Sequence, residues 1–212
     1  MTLVQVFPSG PFETNAYVVA CQNTKKAAII DPAPESAEKI RDYISKNQLL
    51  PEKILLTHSH WDHIGDVALC KNLYHIPVYI HEADRSNLEM PGSDGLPCWI
   101  SIKPVKADGF FEEGDIVTVG ELKFQVIHTP GHTPGGVCFY SKENNILFSG
   151  DTLFQGTIGN LSFPTCVPDL MWGSLAKLTK LPPQTKVYPG HGAATTIGAE
   201  HWLPRAKELF GE

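Results

Sequence analysis

Little in this chain commits it to a membrane, a nucleic acid or an oxidised scaffold. No stretch of its 212 residues approaches the roughly eighteen consecutive apolar side chains that a membrane-crossing helix needs. The opening residues, Met1-Thr2-Leu3-Val4-Gln5-Val6-Phe7-Pro8, hold no basic segment followed by a long apolar core, so no secretory leader is expected. Lys and Arg number 17 against 23 Asp and Glu, giving a net charge of −6. Without clustered cations to neutralise phosphates, a nucleic-acid partner is not expected. The five cysteines, Cys21, Cys70, Cys98, Cys138 and Cys166, are odd in number, scattered, and contain no Cys-x-x-Cys. That excludes a cysteine zinc knuckle and points to reduced, mostly buried thiols. The default expectation is a soluble, cytoplasmic protein, monomeric or a small homo-oligomer. At 42% hydrophobic and 19% charged, residues 1–212 can bury a substantial core as a single domain.

What the chain does have is concentrated in six residues. His58-Ser59-His60-Trp61-Asp62-His63 follows the apolar run Ile54-Leu55-Leu56-Thr57 and packs three imidazoles and a carboxylate together. If the chain leaves its strand extended, residues two apart share a face, so His58 and His60 converge on one cation. Asp62 and His63 fall where the chain turns into a helix, and aim elsewhere. That geometry suits a second cation beside the first. Neutral imidazole and carboxylate suit zinc, iron or manganese.

Three later residues repeat one context. His132 lies in Thr129-Pro130-Gly131-His132-Thr133-Pro134-Gly135, Asp151 follows Ile146-Leu147-Phe148-Ser149-Gly150, and His191 follows Val187-Tyr188-Pro189-Gly190. Each comes just past an apolar strand-like run, with a Gly beside it that lets the backbone turn. Asp31, in Ile30-Asp31-Pro32, is either a partner that orients a ligand or a turn cap. Cys166 lies in the loop after Asp151, where a substrate could pass. His75, His81, His128 and His201 have no partner pattern and read as surface or core residues.

Apolar periodicity predicts strands at 3–7, 15–20, 27–31, 53–56, 78–80, 115–119, 122–127, 136–140, 145–148 and 186–188. Helices are expected at 35–46, 64–74, 168–180 and at the C-terminus. Residues 91–104, rich in Pro, Gly and Ser, read as a loop or lid. Strand groups alternating with helices argue for a layered α/β fold.

With Thr14-Asn15-Ala16-Tyr17, the hexad, Pro130-Gly131-His132-Thr133-Pro134-Gly135, Gly150-Asp151-Thr152-Leu153-Phe154 and Tyr188-Pro189-Gly190-His191-Gly192 in view, the chain resembles the metallo-β-lactamase superfamily. Within it, the compact hydroxyacylglutathione hydrolases, or glyoxalase II-like proteins, are most similar. The resemblance runs from about Phe7 to Gly198. It implies a four-layer αβ/βα sandwich, two mixed β-sheets packed inside two helical layers. It implies two divalent metal ions, zinc first, with iron or manganese also accommodated. His58, His60 and His132 would hold one, and Asp62, His63 and His191 the other, with Asp151 bridging. The implied activity is cleavage of an acyl thioester, most simply a hydroxyacyl-glutathione, by a metal-activated hydroxide, with Asp62 and Asp151 as the catalytic carboxylates.

The chain also departs from that pattern. Where glyoxalase-like members carry an Arg after the Leu-Phe start of the loop and an Arg-x-Asp element beyond it, this sequence reads Phe154-Gln155-Gly156-Thr157-Ile158-Gly159-Asn160-Leu161-Ser162. The segment Phe163-Pro164-Thr165-Cys166-Val167-Pro168 is unusual as well. The long C-terminal helical part whose basic residues hold glutathione in larger enzymes is not expected here. Arg85, Lys103 and Lys106 are the candidates for a replacement anion grip, with solvated surface charge as the other reading. Three alternatives stay open: a persulfide dioxygenase with a single iron, a lactonase or other ester hydrolase, and a non-enzymatic scaffold that keeps an inherited site.

Overall fold

Two six-stranded sheets lie face to face in the computed structural model, which describes residues 1–211. The first sheet takes its strands in chain order: β1 (Thr2–Ser9), β2 (Thr14–Cys21), β3 (Lys26–Ile30), β4 (Leu50–Leu55), β5 (Val78–His81) and β6 (Gly109–Phe111). The second contains β7 (Ile116–Val119), β8 (Leu122–His128), β9 (Val137–Ser141), β10 (Ile146–Gly150), β11 (Lys186–Pro189) and β12 (Thr195–Thr196), again neighbouring in chain order. Both sheets are mixed. β3 through β6 pair in parallel, as do β10 and β11, and the remaining pairs are antiparallel.

The side-chain alternation of each strand sorts residues between layers. In the first sheet Ala16, Val18, Ala20, Ile29 and Ile54 face the helices, beside Ile40 and Ile44 of α1 (Ala37–Asn47) and Ile64 of α2 (Trp61–Ile64). Tyr17, Val19, Ala28, Ile30 and Leu55, one residue out of phase, face the second sheet and meet Phe124, Val126, Phe139 and Phe148. On the far side Cys138, Tyr140, Leu147 and Val187 pack beneath Met171, Leu175 and Leu178 of α5 (Pro168–Leu178). β2 is covered on both faces and buried throughout, and residues 16–21 of it are correspondingly an unbroken apolar run. The outcome is four layers, helix, sheet, sheet, helix, as the family resemblance implied. Each fully buried aliphatic or Phe side chain in these layers contributes roughly 1.5–3 kcal/mol.

Some elements differ from expectation. The helix expected over 64–74 is two, α2 and α3 (Val67–Tyr74), because the chain breaks where it crosses Pro34. A Cβ on Gly65 would overlap the Pro34 ring, and beyond it Asp66 accepts the Ala37 N–H at 2.8 Å and donates its own N–H to Pro32 O at 2.9 Å. The short strands β6 and β12 and the helix α4 (Arg85–Glu89) carried too few periodic residues to be read from sequence. The C-terminal helix is reduced to α6 (Ala206–Phe210). Residues 91–104 form no helix or strand, as expected. No helix among the described residues is long and apolar enough to cross a membrane.

Candidate metal centre

Every sequence-predicted ligand leaves the carboxyl end of a strand at one edge of the sandwich. Asp31 follows β3 and the hexad follows β4, while His132, Asp151 and His191 follow β8, β10 and β11. The parallel pairs β3–β4 and β10–β11 put those loops side by side. Two sets of side chains then converge. His58, His60 and His132 form one, Asp62, His63 and His191 the other, and in each set one ligand atom per residue lies within 4.8 Å of the rest.

Asp151 stands between the sets. Its Oδ1 is 3.3 Å from His63 Nε2, and its Oδ2 is 3.3 Å from His132 Nε2 and 3.5 Å from His191 Nε2. Asp62 Oδ2 lies 3.3 Å from His191 Nε2 and 3.6 Å from His63 Nε2. Gly190 is required at this point, since a Cβ there would overlap Asp151 Oδ1 and crowd the His63 ring.

The imidazoles are aimed from behind. His63 Nδ1 donates to Asp31 Oδ2 at 3.0 Å, His132 Nδ1 to Asn160 O at 2.7 Å, His191 Nδ1 to Phe12 O at 3.1 Å, and His58 Nδ1 to Thr57 Oγ1 at 3.1 Å. Thr57 in turn donates its backbone N–H and its hydroxyl to Asp31, at 2.7 and 2.5 Å. Of the two readings of Asp31, the orienting one therefore fits. With Nδ1 occupied, each ring presents Nε2 forward, the usual way a protein fixes a metal-ligating His.

A divalent cation fits this set. Among the described residues, the buried Nε2 atoms of His58, His60, His63 and His132 and Oδ1 of Asp151 have no hydrogen-bond partner. Buried polar atoms are otherwise nearly always paired. Five unpartnered atoms converging on one spot are what bound cations would satisfy. The donors are imidazole nitrogens and carboxylate oxygens, a mixture suited to zinc, iron or manganese.

Charge is divided unevenly across the centre. Burial, reinforced by the neighbouring His63 charge, drives His58 well below its usual pKa, and burial together with His132 brings His60 down to about 3. Both stay neutral and ligand-ready. For His63 burial pulls the same way, but the Asp151 and Asp62 carboxylates prevail and raise it well above the usual value. His191 is lifted to about 9 against burial by its hydrogen bonds to Asp151 and Asp62. Burial works against ionisation of Asp62 and Asp151. The His63 charge and hydrogen bonds from neighbouring groups overcome it, holding Asp62 at about 2 and Asp151 well below its ordinary range.

Comparison with known proteins accords with this geometry. A family model described as the metallo-beta-lactamase superfamily matches residues 9–191. The chain belongs to the metallo-β-lactamase superfamily. Its fold is that family's, and its general chemistry is that of a metallo-hydrolase with a metal-binding His/Asp cluster. The crystal structure of BLEG-1 B3 metallo-beta-lactamase is 38% identical, with a TM-score of 0.87 over 99% of this chain and 100% of that one. TTHA1623, solved in a di-iron-bound form, is 39% identical, with a TM-score of 0.80 over 92% and 96% of the two chains. The hydroxyacylglutathione hydrolase GloC of Haemophilus influenzae is 34% identical over 204 residues, 93% of this chain and 94% of that protein.

Several supporting residues escaped the sequence reading. Thr14 donates its hydroxyl to Asp62 Oδ2 at 2.7 Å. Asn15 Nδ2 donates to Pro189 O and Gly192 O at 3.0 and 2.9 Å, and the Tyr17 hydroxyl to Pro189 O at 2.6 Å, so β2 clasps the His191 loop. Asp84 accepts the backbone N–H of Ser59 at 3.1 Å and of Gly135 at 2.6 Å, tying the hexad to the His132 loop. Burial raises its pKa. The Thr-Asn pair heading a strand was the available signal for the clasp; nothing local marked Asp84. His81 and His128, unpartnered in sequence, stack on each other at 4.1 Å. Cys166 sits beside the site, its thiol donating to His132 O at 3.1 Å, and burial raises its pKa. Cys21, Cys70 and Cys138 are buried, and all five cysteines are free.

Proposed function

We propose that the protein is a dinuclear metal-dependent hydrolase of acyl thioesters, with hydroxyacyl-glutathione as the first substrate to test. His58, His60 and His132 would hold one cation, and Asp62, His63 and His191 the second, with Asp151 shared. A pair of divalent cations supplies a water acidified to near-neutral pKa and a Lewis acid for the carbonyl. The observation that carries this reading is the pair of ligand sets with Asp151 contacting histidines of both. The likeness to GloC and to a di-iron protein supports it.

The chain's own residues provide the remainder. Asp62 faces the cavity with Oδ2 held by Thr14 and, with its pKa held at about 2, stays a carboxylate acceptor that orients the attacking water. Asp31 and Asn160 fix the tautomers of His63 and His132, so neither ring swings when substrate arrives. A thiol is far more acidic than an alcohol or amine, so the leaving group departs as thiolate without a strong general acid. This suits a site with no free acid beyond the ligand set.

The test is one panel on purified protein. Metal content is measured first, then thiol release from lactoylglutathione beside simple thioesters, esters and lactones. Two cations per chain with thiol release support the proposal. One iron with oxygen uptake and no thiol release would replace it with the dioxygenase reading, and release from lactones alone with the lactonase reading.

A further inference from the structure

The cavity in front of the His/Asp cluster encloses about 460 Å3, within the range of small-molecule sites. Outside the cluster, every lining residue is apolar except Asn160. Phe163 packs edge-on to His60 and His132, at 5.6 and 5.7 Å between ring centroids. Phe154 does the same to His191 at 5.9 Å. At the rim, Phe12, Trp61 and Trp99 form a three-ring cluster, with centroids 5.2, 5.8 and 5.8 Å apart.

Two of those rings face solvent: Trp99 is 70% exposed and Phe12 47%. The segment leading to Trp99 is nonetheless anchored to the hexad. Asn87 Nδ2 donates to Ser59 O at 2.5 Å and to Asp94 Oδ2 at 2.8 Å, and Asn87 Oδ1 accepts the N–H groups of Gly92 and Asp94 at 2.9 and 3.3 Å. The rim is therefore held in register with the ligand side chains.

Among the described residues, no Lys or Arg lines the cavity. The cations named above as a grip for an anionic carrier are not part of it: Lys103 and Lys106 lie outside the lining, and Arg85 pairs with Glu89 at 3.0 Å and lies over the Phe110 ring at 5.5 Å. The two carboxylates of a glutathione carrier would find no Lys or Arg here, and the protonated His191 of the metal-free site is already paired with Asp62 and Asp151. An apolar group of the substrate would instead meet ring faces and edges on three sides and cover exposed aromatic surface.

We propose that this site selects acyl thioesters with an aryl or alkyl acyl group, without a cationic grip on the thiol carrier, and that Phe12, Trp61 and Trp99 set that preference. The proposal rests on the thioester-hydrolase reading for its substrate class, while the apolar recognition itself can be measured without turnover.

The binding arm uses metal-free protein and two non-hydrolysable ketones, S-phenacylglutathione and S-acetonylglutathione, titrated by calorimetry. The phenacyl compound binds about tenfold or more tightly, as expected for burying an aryl ring in place of a methyl group. Trp99→Ala narrows the gap to about threefold and Trp99→Phe restores most of it. Because Trp99 is exposed, neither change threatens folding. Raising salt from about 0.05 to about 0.5 M changes affinity by less than about twofold, because no Lys or Arg grips the carrier and His191 is already paired with Asp62 and Asp151. In the turnover arm, kcat/KM on metal-loaded protein rises about threefold to fourfold per methylene from acetyl to hexanoyl glutathione. Equal affinity for the two ketones, or a steep loss of affinity with salt, overturns the proposal. Apolar discrimination in binding with no thioester cleaved overturns the hydrolase reading and leaves the apolar site standing.

Discussion

At the floor of the cavity and just behind it, His132, His58 and His63 are 5% exposed or less and braced from behind by Asn160, Thr57 and Asp31. At its mouth, Trp99 and Phe12 stand in solvent, and their rings pack against each other and against Trp61. The two regions share a backbone, since Phe12 braces His191 through its carbonyl while its ring sits at the rim. The contrast separates two kinds of information. On the proposed reading the floor carries the reaction type and tolerates almost no change, because its rings are braced by hydrogen bonds and its carboxylates are paired with histidines. The mouth, on the same reading, would set substrate preference, and its exposed rings can be altered at small cost to the fold.

Substitutions should respect that division. The largest effect is expected for Asp151→Ala, which removes the carboxylate common to both ligand sets: hydrolysis falls by about 10³-fold or more while the circular dichroism of the fold is retained. Asp31→Asn leaves all ligands in place but weakens the brace on His63. Metal affinity or activity should drop about 10–100-fold, measured by chelator competition.

A smaller, pH-dependent effect follows from the raised pKa values of His63 and His191. In metal-free protein both carry protons at neutral pH, so loading metal releases protons. Calorimetry in buffers of different ionisation enthalpy should detect that release, and metal affinity should rise with pH towards about 9. The same linkage means that the stabilisation His191 gives the metal-free fold is complete below 6.5 and fades as pH rises through about 9. Smallest of all, Trp99→Ala should alter unfolding free energy by no more than about 0.5 kcal/mol, a value typical of exposed positions. A loss much above that would erase the distinction between mouth and floor.

The cluster at the floor was legible in the sequence because four of its His and Asp side chains lie within six residues, and the other three each follow an apolar run and a Gly. The layered fold was legible because β2, β3 and β10 each carry a short apolar run, residues 16–21, 27–30 and 146–148, with few alternatives. The braces were less visible. Thr14 reaches Asp62 across 48 residues of chain and Asp84 reaches Gly135 across 51, and single polar residues at such separations carry no periodic signal. The split between α2 and α3 depends on where Pro34 meets Gly65, a packing event between distant segments. The aromatic lining is assembled from Trp61 at the start of α2 and from the segments carrying Phe12, Trp99, Phe154 and Phe163. In sequence these were scattered rings, with only the missing loop arginines to suggest that recognition had moved.

The central claim is a two-cation centre made by side chains from both sheets, and elemental analysis of the purified protein beside Asp62→Asn and His60→Ala tests it most directly. The account predicts two equivalents of metal per chain in the parent and close to one in each variant. A parent with a single equivalent that survives Asp62→Asn unchanged would contradict it.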